Sequence, residues 1–290
     1  MTDHNKEVDS HSGTETTGHE WDGIKELNTP LPRWWLGIFY ACIVWSIGYW
    51  VVMPAWPMIN GYTHGMLNHS QRVNVANDIA ALKFARHASE SKLASASMDH
   101  IQSNPDLLQF ALAEGKAAFG DNCAPCHGSG AQGSKGYPNL NDDVWLWGGK
   151  LADIQHTITV GVRSTSAETR QSQMPAFGKD GILKPAQIRD LTEYVVALSH
   201  RPANAAAVKR ARQLFSDNCA ACHGEDGKGN REFGAPNLTD ADWLYGGSPQ
   251  EISTQIYLGR GGVMPTWQGR LSPETIKSLA IYVHSLGGGE

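Results

Sequence analysis

Two short runs could carry chemistry in this 290-residue chain. Cys123-Ala124-Pro125-Cys126-His127 and Cys219-Ala220-Ala221-Cys222-His223 each set two thiols three residues apart, with an imidazole directly after the second. At a helix start, this spacing lets both sulfurs form thioethers to the two vinyl groups of one haem. The adjacent imidazole then meets the iron from below the ring, which is the haem c attachment signature. A redox disulfide of the thioredoxin kind needs a βαβ context, and the sequence has none. Paired C-x-x-C zinc sites are spaced about 15–20 residues apart, whereas 92 residues separate Cys126 from Cys219. The expectation is two covalently bound haem c groups, held by Cys123 and Cys126 and by Cys219 and Cys222, with His127 and His223 as axial iron ligands.

A six-coordinate haem needs a ligand on its other face. Met174-Pro175 follows the first histidine by 47 residues, and Met264-Pro265 follows the second by 41. A thioether sulfur favours ferrous iron and raises its potential, and proline stiffens the loop that delivers it. Met174 and Met264 are therefore the expected sixth ligands, with His156 or His200 as alternatives to Met174. A ligating histidine normally gives its other N–H to an acceptor, and the carbonyls of Pro138 and Pro236 are candidates. Trp145 and Trp243 either aim an indole N–H at a haem propionate or pack against the ring. With both irons saturated by protein, no position is left for substrate. No nucleophile–base pair stands out, so no catalytic residue is assigned and the expected work is electron transfer.

The elements that position these groups occur twice. DNCAPCHG recurs as DNCAACHG 96 residues later, and Pro138-Asn139-Leu140, Trp145 and Gly148-Gly149 recur with a displacement of 98. Each copy ends in an apolar helical segment, around Tyr194 and around Tyr282. Asn104-Pro105 is a helix start, with asparagine as cap and proline at the first position, and that helix runs to about Asn122. Fixed-period self-similarity marks duplicated units: a first haem domain over 105–201 and a second over 202–290, joined by a link too short to hold them apart. The fold class expected is all-α.

Upstream, no charged side chain lies between Arg33 and Arg72. Trp34 to Met53 is apolar with aromatic ends, and twenty residues at 1.5 Å rise span about 30 Å, the thickness of a hydrocarbon core. Pro54 and Pro57 stop the helix, giving a transmembrane anchor over 34–58. A buried core helix would be shorter, and a cleaved signal peptide would lie nearer the terminus behind a basic region. Cys42, mid-span, reads as a small apolar filler. Residues 1–33 form a tail, largely disordered over 1–30, and 59–104 a helical connector with a Val75, Ile79, Leu82 stripe. His64, His69, His87 and His100 read as solvated. Residues 1–114 carry 7 basic and 12 acidic residues, and the remainder 17 of each. This excludes an electrostatic nucleic-acid binder, which shows a basic excess. Haem c is attached outside the cytoplasmic membrane in bacteria. The haem domains are thus expected in the periplasm and the tail in the cytoplasm, in agreement with Lys25 and Arg33 preceding the span.

The segment from Asp22-Gly23-Ile24 through Asn28-Thr29-Pro30-Leu31-Pro32 and the aromatic span, followed by two C-x-x-C-H modules, resembles the CcoP/FixP subunits of cbb3-type cytochrome c oxidases. The resemblance covers nearly the whole chain. It implies two tandem class I cytochrome c domains, with Gly115 and Phe119 against Tyr194 and with Ala211 and Phe215 against Tyr282. It implies the axial pairs His127/Met174 and His223/Met264. It also implies an electron-transfer subunit in the inner membrane of a proton-pumping oxidase. Its partners would be a periplasmic donor cytochrome, a monohaem cytochrome c subunit and a haem–copper catalytic subunit that reduces oxygen. The acids of 225–242 would steer a basic donor. Competing readings are a free-standing membrane-anchored dihaem carrier, a dihaem peroxidase and a haem-based sensor.

Overall fold

The computed structural model describes residues 7–290. The tail is not wholly without structure. Strands β1 (Thr16–Trp21) and β2 (Ile24–Leu27) pair antiparallel, Trp21 opposite Ile24. Asp22 and Gly23 turn the chain between them with φ of 52° and 84°, the left-handed pair that a two-residue type I′ hairpin demands. The disorder expected over 1–30 is therefore corrected from Thr16 to Leu27, and residues 1–6 lie outside the described residues. Helix α1 (Arg33–Val52) follows, 20 residues long with no buried residue. That lack of burial excludes a core helix and leaves one helix long and apolar enough to cross a membrane. The short hairpin β3 (Pro57–Met58) and β4 (Gly61–Tyr62) comes next. The Met66 and Leu67 amides then return to cap α1, donating to the Val51 and Val52 carbonyls at 3.0 Å each. Gly65, at φ +66°, permits this, because a Cβ there would lie 2.4 Å from the Val52 oxygen.

With two small hairpins present, the chain is mostly helical rather than all-α. Contacts divide it into a unit ending at Phe84 and a unit from Ala85 onward. The connector becomes α2 (Gln71–Ser95) and α3 (Met98–Ser103). Val75, Ile79 and Leu82 are exposed on α2, whereas Leu93 and Ile101 are fully buried. The last turns of the connector thus belong to the second unit's core, with Leu107, Ala111 and Ile281.

That unit contains α4 (Pro105–Asn122), α5 (Ala124–His127), α6 (Leu151–Val160), α7 (Pro185–Leu198), α8 (Ala205–Asn218), α9 (Ala220–His223), α10 (Pro249–Leu258) and α11 (Pro273–His284). Asn104 caps α4 by accepting from the Leu107 amide at 3.1 Å, with Pro105 at the first position, and the helix ends at Asn122. The pairing of helices departs from chain order. The first helix of copy one, α4, packs on the last helix of copy two, α11, and α7 packs on α8. The Phe119 and Tyr282 rings are 5.5 Å apart, and those of Phe215 and Tyr194 are 4.9 Å apart. A Cβ at Gly115 would lie 2.3 Å from the Ser278 carbonyl oxygen of α11. The contacts of Gly115 and Phe119 with Tyr194, and of Ala211 and Phe215 with Tyr282, are therefore exchanged. The two helix pairs carry equivalent residues, so side chains alone do not choose between partners. The link does: only residues 199–204 separate α7 from α8, and a short connection favours packing of sequential helices.

Two cores result, each drawn from both copies. One gathers Phe119, Ile154 and Ile158 with Ile276, Leu279 and Val283. The other gathers Phe177, Leu191 and Val195 with Ala211, Phe215 and Ile252. Phe119 and Phe215 are 2% and 1% exposed. Each such burial contributes about 1.5–3 kcal/mol.

Candidate haem centres

Each C-x-x-C-H run closes the first helix of its copy and opens a single turn, α5 or α9. The His127 and Cys126 amides both point back to the Cys123 carbonyl, at 2.9 and 3.1 Å, and His223 and Cys222 repeat these distances on Cys219. Cys123 and Cys219 are half-buried, Cys126 and Cys222 exposed, and all four are unpaired as thiols. Burial, with Cys126 and Cys222 adding to it, pushes the Cys123 and Cys219 thiols up to about 11.

The imidazoles are oriented alike. His127 Nδ1 donates to the Pro138 carbonyl and His223 Nδ1 to the Pro236 carbonyl, both at 3.0 Å. Burial lowers both histidines below the usual imidazole range, opposed by these bonds. With Nδ1 committed, Nε2 is the free nitrogen, unprotonated and able to ligate.

The methionines are placed crosswise. Met264 packs with Cys123, Leu140 and Trp145 against the α4–α11 core, and Met174 packs with Cys219, Leu238 and Trp243 against the α7–α8 core. Hydrogen bonds between the two copies fix this arrangement. Val162 and Met264 exchange both N–H···O bonds at 3.0 Å, and Gln173 Nε2 donates to the Gly259 carbonyl at 2.5 Å. Gly161 (φ +74°) and Gly259 (φ +57°) make the approach possible, since a Cβ on either would lie 2.4 Å from the Met264 or Met174 carbonyl oxygen. His156 and His200 are exposed. The expected pairs were His127/Met174 and His223/Met264, whereas Cys123 of the first attachment run shares a core with Met264, and Cys219 of the second with Met174.

The tryptophans differ from one another. The Trp145 indole N–H donates to the Gly288 carbonyl, and the Arg201 guanidinium lies 5.2 Å above Trp243. Tyr245 and Trp147 join the two cores reciprocally. Gly136 donates to the Leu244 carbonyl at 2.7 Å, and a Cβ at Gly234 would lie 2.2 Å from the Trp147 ring. Lys135 pairs with Glu251 across the same seam, holding that carboxyl down at about 2. The acids of 225–242 are partly spent on local contacts: Asp226 pairs with Lys228 at 3.3 Å and Asp240 accepts from the Asp242 amide. Sequence reading missed the exchange and Arg201. The six-residue link carried a signal for the first; the second had none.

The donor set fits haem c. Each C-x-x-C-H run puts one thiol into a core that also holds a methionine and leaves the second thiol exposed, and its histidine is oriented through Nδ1. One buried guanidinium nitrogen, Arg201 Nη2, also lacks any protein partner.

Comparison with known proteins agrees. Residues 13–60 match the N-terminal domain of cytochrome oxidase-cbb3, FixP. Residues 112–199 match the cytochrome c family, and 206–283 match cytochrome c oxidase, cbb3-type, subunit III. The cbb3-type cytochrome c oxidase subunit FixP of Bradyrhizobium sp. (strain ORS 278) is 56% identical over 291 residues, covering 100% of both chains. That of Azorhizobium caulinodans is 56% identical over 288 residues, 99% of this chain and 98% of its own. The subunit CcoP of Cereibacter sphaeroides is 51% identical over 276 residues, 95% of each. Two cytochrome c domains mean two haem c groups. With full-length identity above one half and an anchor segment specific to these subunits, the chain belongs to the FixP/CcoP family, the dihaem cytochrome c subunit of cbb3-type cytochrome c oxidases.

Proposed function

We propose that this subunit is the electron-entry arm of its oxidase. It takes electrons from a periplasmic donor cytochrome and passes them, with the monohaem subunit, toward the haem–copper subunit that reduces oxygen to water. The N-terminus lies in the cytoplasm, α1 crosses the bacterial inner membrane, and the haem modules stand in the periplasm. The domains run over 105–201 and 202–290 by sequence repeat, while the cores exchange their closing helices. Cys123 and Cys126 would hold one haem, with His127 and Met264 to ligate its iron; Cys219 and Cys222 would hold the other, with His223 and Met174.

When bound, haem supplies one-electron transfer at the iron. The chain's own residues keep that transfer cheap in reorganisation. The Pro138 and Pro236 carbonyls orient the imidazoles. The Val162–Met264 ladder and the Gln173–Gly259 bond hold the methionine loops, and buried Phe119 and Phe215 exclude water beside each attachment site. The observation that carries the reading is full-length identity to oxidase subunits combined with two reciprocal, symmetric ligand sets.

The test is affinity purification of the tagged protein from detergent-solubilised membranes, with haem staining and oxygen uptake on reduced cytochrome c. Co-elution of a multi-spanning haem–copper subunit with oxidase activity is expected. A lone dihaem band without oxygen uptake would leave the free-standing carrier. For the ligands, Met264→Ala in a chain also carrying Cys219→Ala and Cys222→Ala is expected to abolish the methionine–ferric-iron charge-transfer band. Met174→Ala in that background is expected to leave the band in place.

A further inference from the structure

Arg201 sits in the link between α7 and α8, two of its guanidinium nitrogens committed and one not. Its Nε donates to Ser199 Oγ at 2.8 Å and its Nη1 to the Gly247 carbonyl at 2.5 Å. Its guanidinium carbon lies 5.2 Å over the Trp243 ring. Nη2 is buried with no hydrogen-bond partner, the one such side-chain nitrogen or oxygen among the described residues. No carboxylate among them forms an ion pair with Arg201. A buried donor on a permanent cation, lacking both acceptor and counter-charge, calls for an anionic acceptor.

The place narrows the choice of anion. Trp243, beneath the guanidinium, packs with Cys219, Met174 and Leu238 in the core of the second attachment site. A haem bound there brings two carboxylates of its own, the propionates. Guanidinium is the side chain best suited to a carboxylate, and the pair is strongest where water is excluded.

The other core differs at this point. Helices α7 and α11 both end on a serine, Ser199 and Ser285. Two residues beyond lie Arg201 in one case and Gly287 in the other. There the strip is Gly287-Gly288-Gly289, and the Gly288 carbonyl accepts from Trp145. At this position one core has a half-buried arginine over Trp243, where the other has backbone beside Trp145; the guanidinium of that core, Arg270, lies instead over Trp267 at 5.8 Å.

We propose that Arg201 is a cofactor-binding residue, donating from Nη2 to a propionate of the haem attached at Cys219 and Cys222, and that its charge raises the reduction potential of that haem alone. A nearby positive charge stabilises the ferrous over the ferric centre, the more so in a water-poor site. This rests on the attachment and ligand reading given above.

The test is an anaerobic redox titration of the full-length dihaem protein in detergent, comparing Arg201→Gln and Arg201→Lys with the parent. In Arg201→Gln, one of two midpoints is expected to fall, its reduction equilibrium shifting roughly tenfold, about 59 mV for one electron. The other midpoint stays, and the step that moves is the one Met174→His also moves. Arg201→Lys is expected to retain most of the parent potential. The propionate band in the infrared redox difference spectrum shifts in Arg201→Gln. Unmoved midpoints in Arg201→Gln, both midpoints falling together, or Arg201→Lys falling as far as Arg201→Gln would each overturn the proposal. If Arg201→Gln does not fold, an unshifted propionate band in Arg201→Lys overturns it. Loss of covalent haem or of the methionine–iron band in the parent is a different failure, that of the ligand assignment.

Discussion

At the residue scale, small features decide which groups meet. Gly161 allows the Met264 carbonyl within a distance that no Cβ tolerates. We expect Gly161→Val to displace that loop and weaken the methionine–iron band of the haem at Cys123 and Cys126, leaving the other unchanged; absorption spectra of single-haem backgrounds check this. Charge is balanced as closely. Burial raises the Asp142 and Asp240 carboxyls, and Asp242 adds to the effect. A folded-state value above the unfolded one means the protonated form is favoured by folding. The contribution to stability is full below the ordinary value of 3.8 and is lost as pH rises through the folded value. Asp142→Asn keeps an acceptor for the Val144 amide and removes the charge. It is expected to raise the melting temperature at neutral pH, with the gain vanishing in acid; a melting series against pH would refute this if the gain persisted there.

At the element scale, the crossings of α4 with α11 and of α7 with α8 are built alike, with a small residue under an aromatic ring. Gly115 takes that place in α4 and Ala211 in α8. Overpacking such a contact costs about 1–3 kcal/mol, so Gly115→Leu should lower the denaturation midpoint, whereas Ala211→Gly should cost only about 1 kcal/mol or less in helix propensity. Helix ends matter too. Lys277 on α11 donates to the Leu93, Ala94 and Ala96 carbonyls at 3.0, 3.0 and 2.8 Å, where α2 ends. A cation at a helix C-terminus contributes about 0.3–1 kcal/mol. Lys277→Met is expected to lose that much and to speed amide exchange in the last turn of α2.

At the scale of the whole molecule, the exchange means that the repeats are not independent folding units. The α7–α8 core is contiguous in sequence from Met174 to Leu258, while the α4–α11 core is closed only by the last helix. A chain stopped at residue 201 therefore lacks α11 and Met264. It is expected to remain unfolded and without a methionine–iron band even when haem is attached. A fragment spanning residues 161–262 is expected to fold and to hold one low-spin haem. Circular dichroism and haem spectra of the two fragments decide the matter; a folded, methionine-ligated first fragment would restore the sequential pairing.

By itself the sequence determined what is local. The C-x-x-C-H spacing, the Met-Pro dipeptides, the Asn104 cap and the twenty-residue apolar span depend on residues close in the chain, and the cap and the long apolar helix are found where they were expected. The Asp22-Gly23 turn was equally local and legible in its dipeptide, though it lay in a segment read as disordered. Tertiary structure alone decided the partners. Duplication gave two N-terminal helices and two C-terminal helices with matching contact residues, so pattern could not tell α7 from α11 as the mate of α4. A short link between α7 and α8 broke that degeneracy, and with it the choice of core into which each methionine packs. Arg201 is the same case in one residue: an arginine in a linker is solvent-facing by composition, and only the tertiary packing, with Trp243 and Gly247 against it, leaves one of its nitrogens buried and short of a partner.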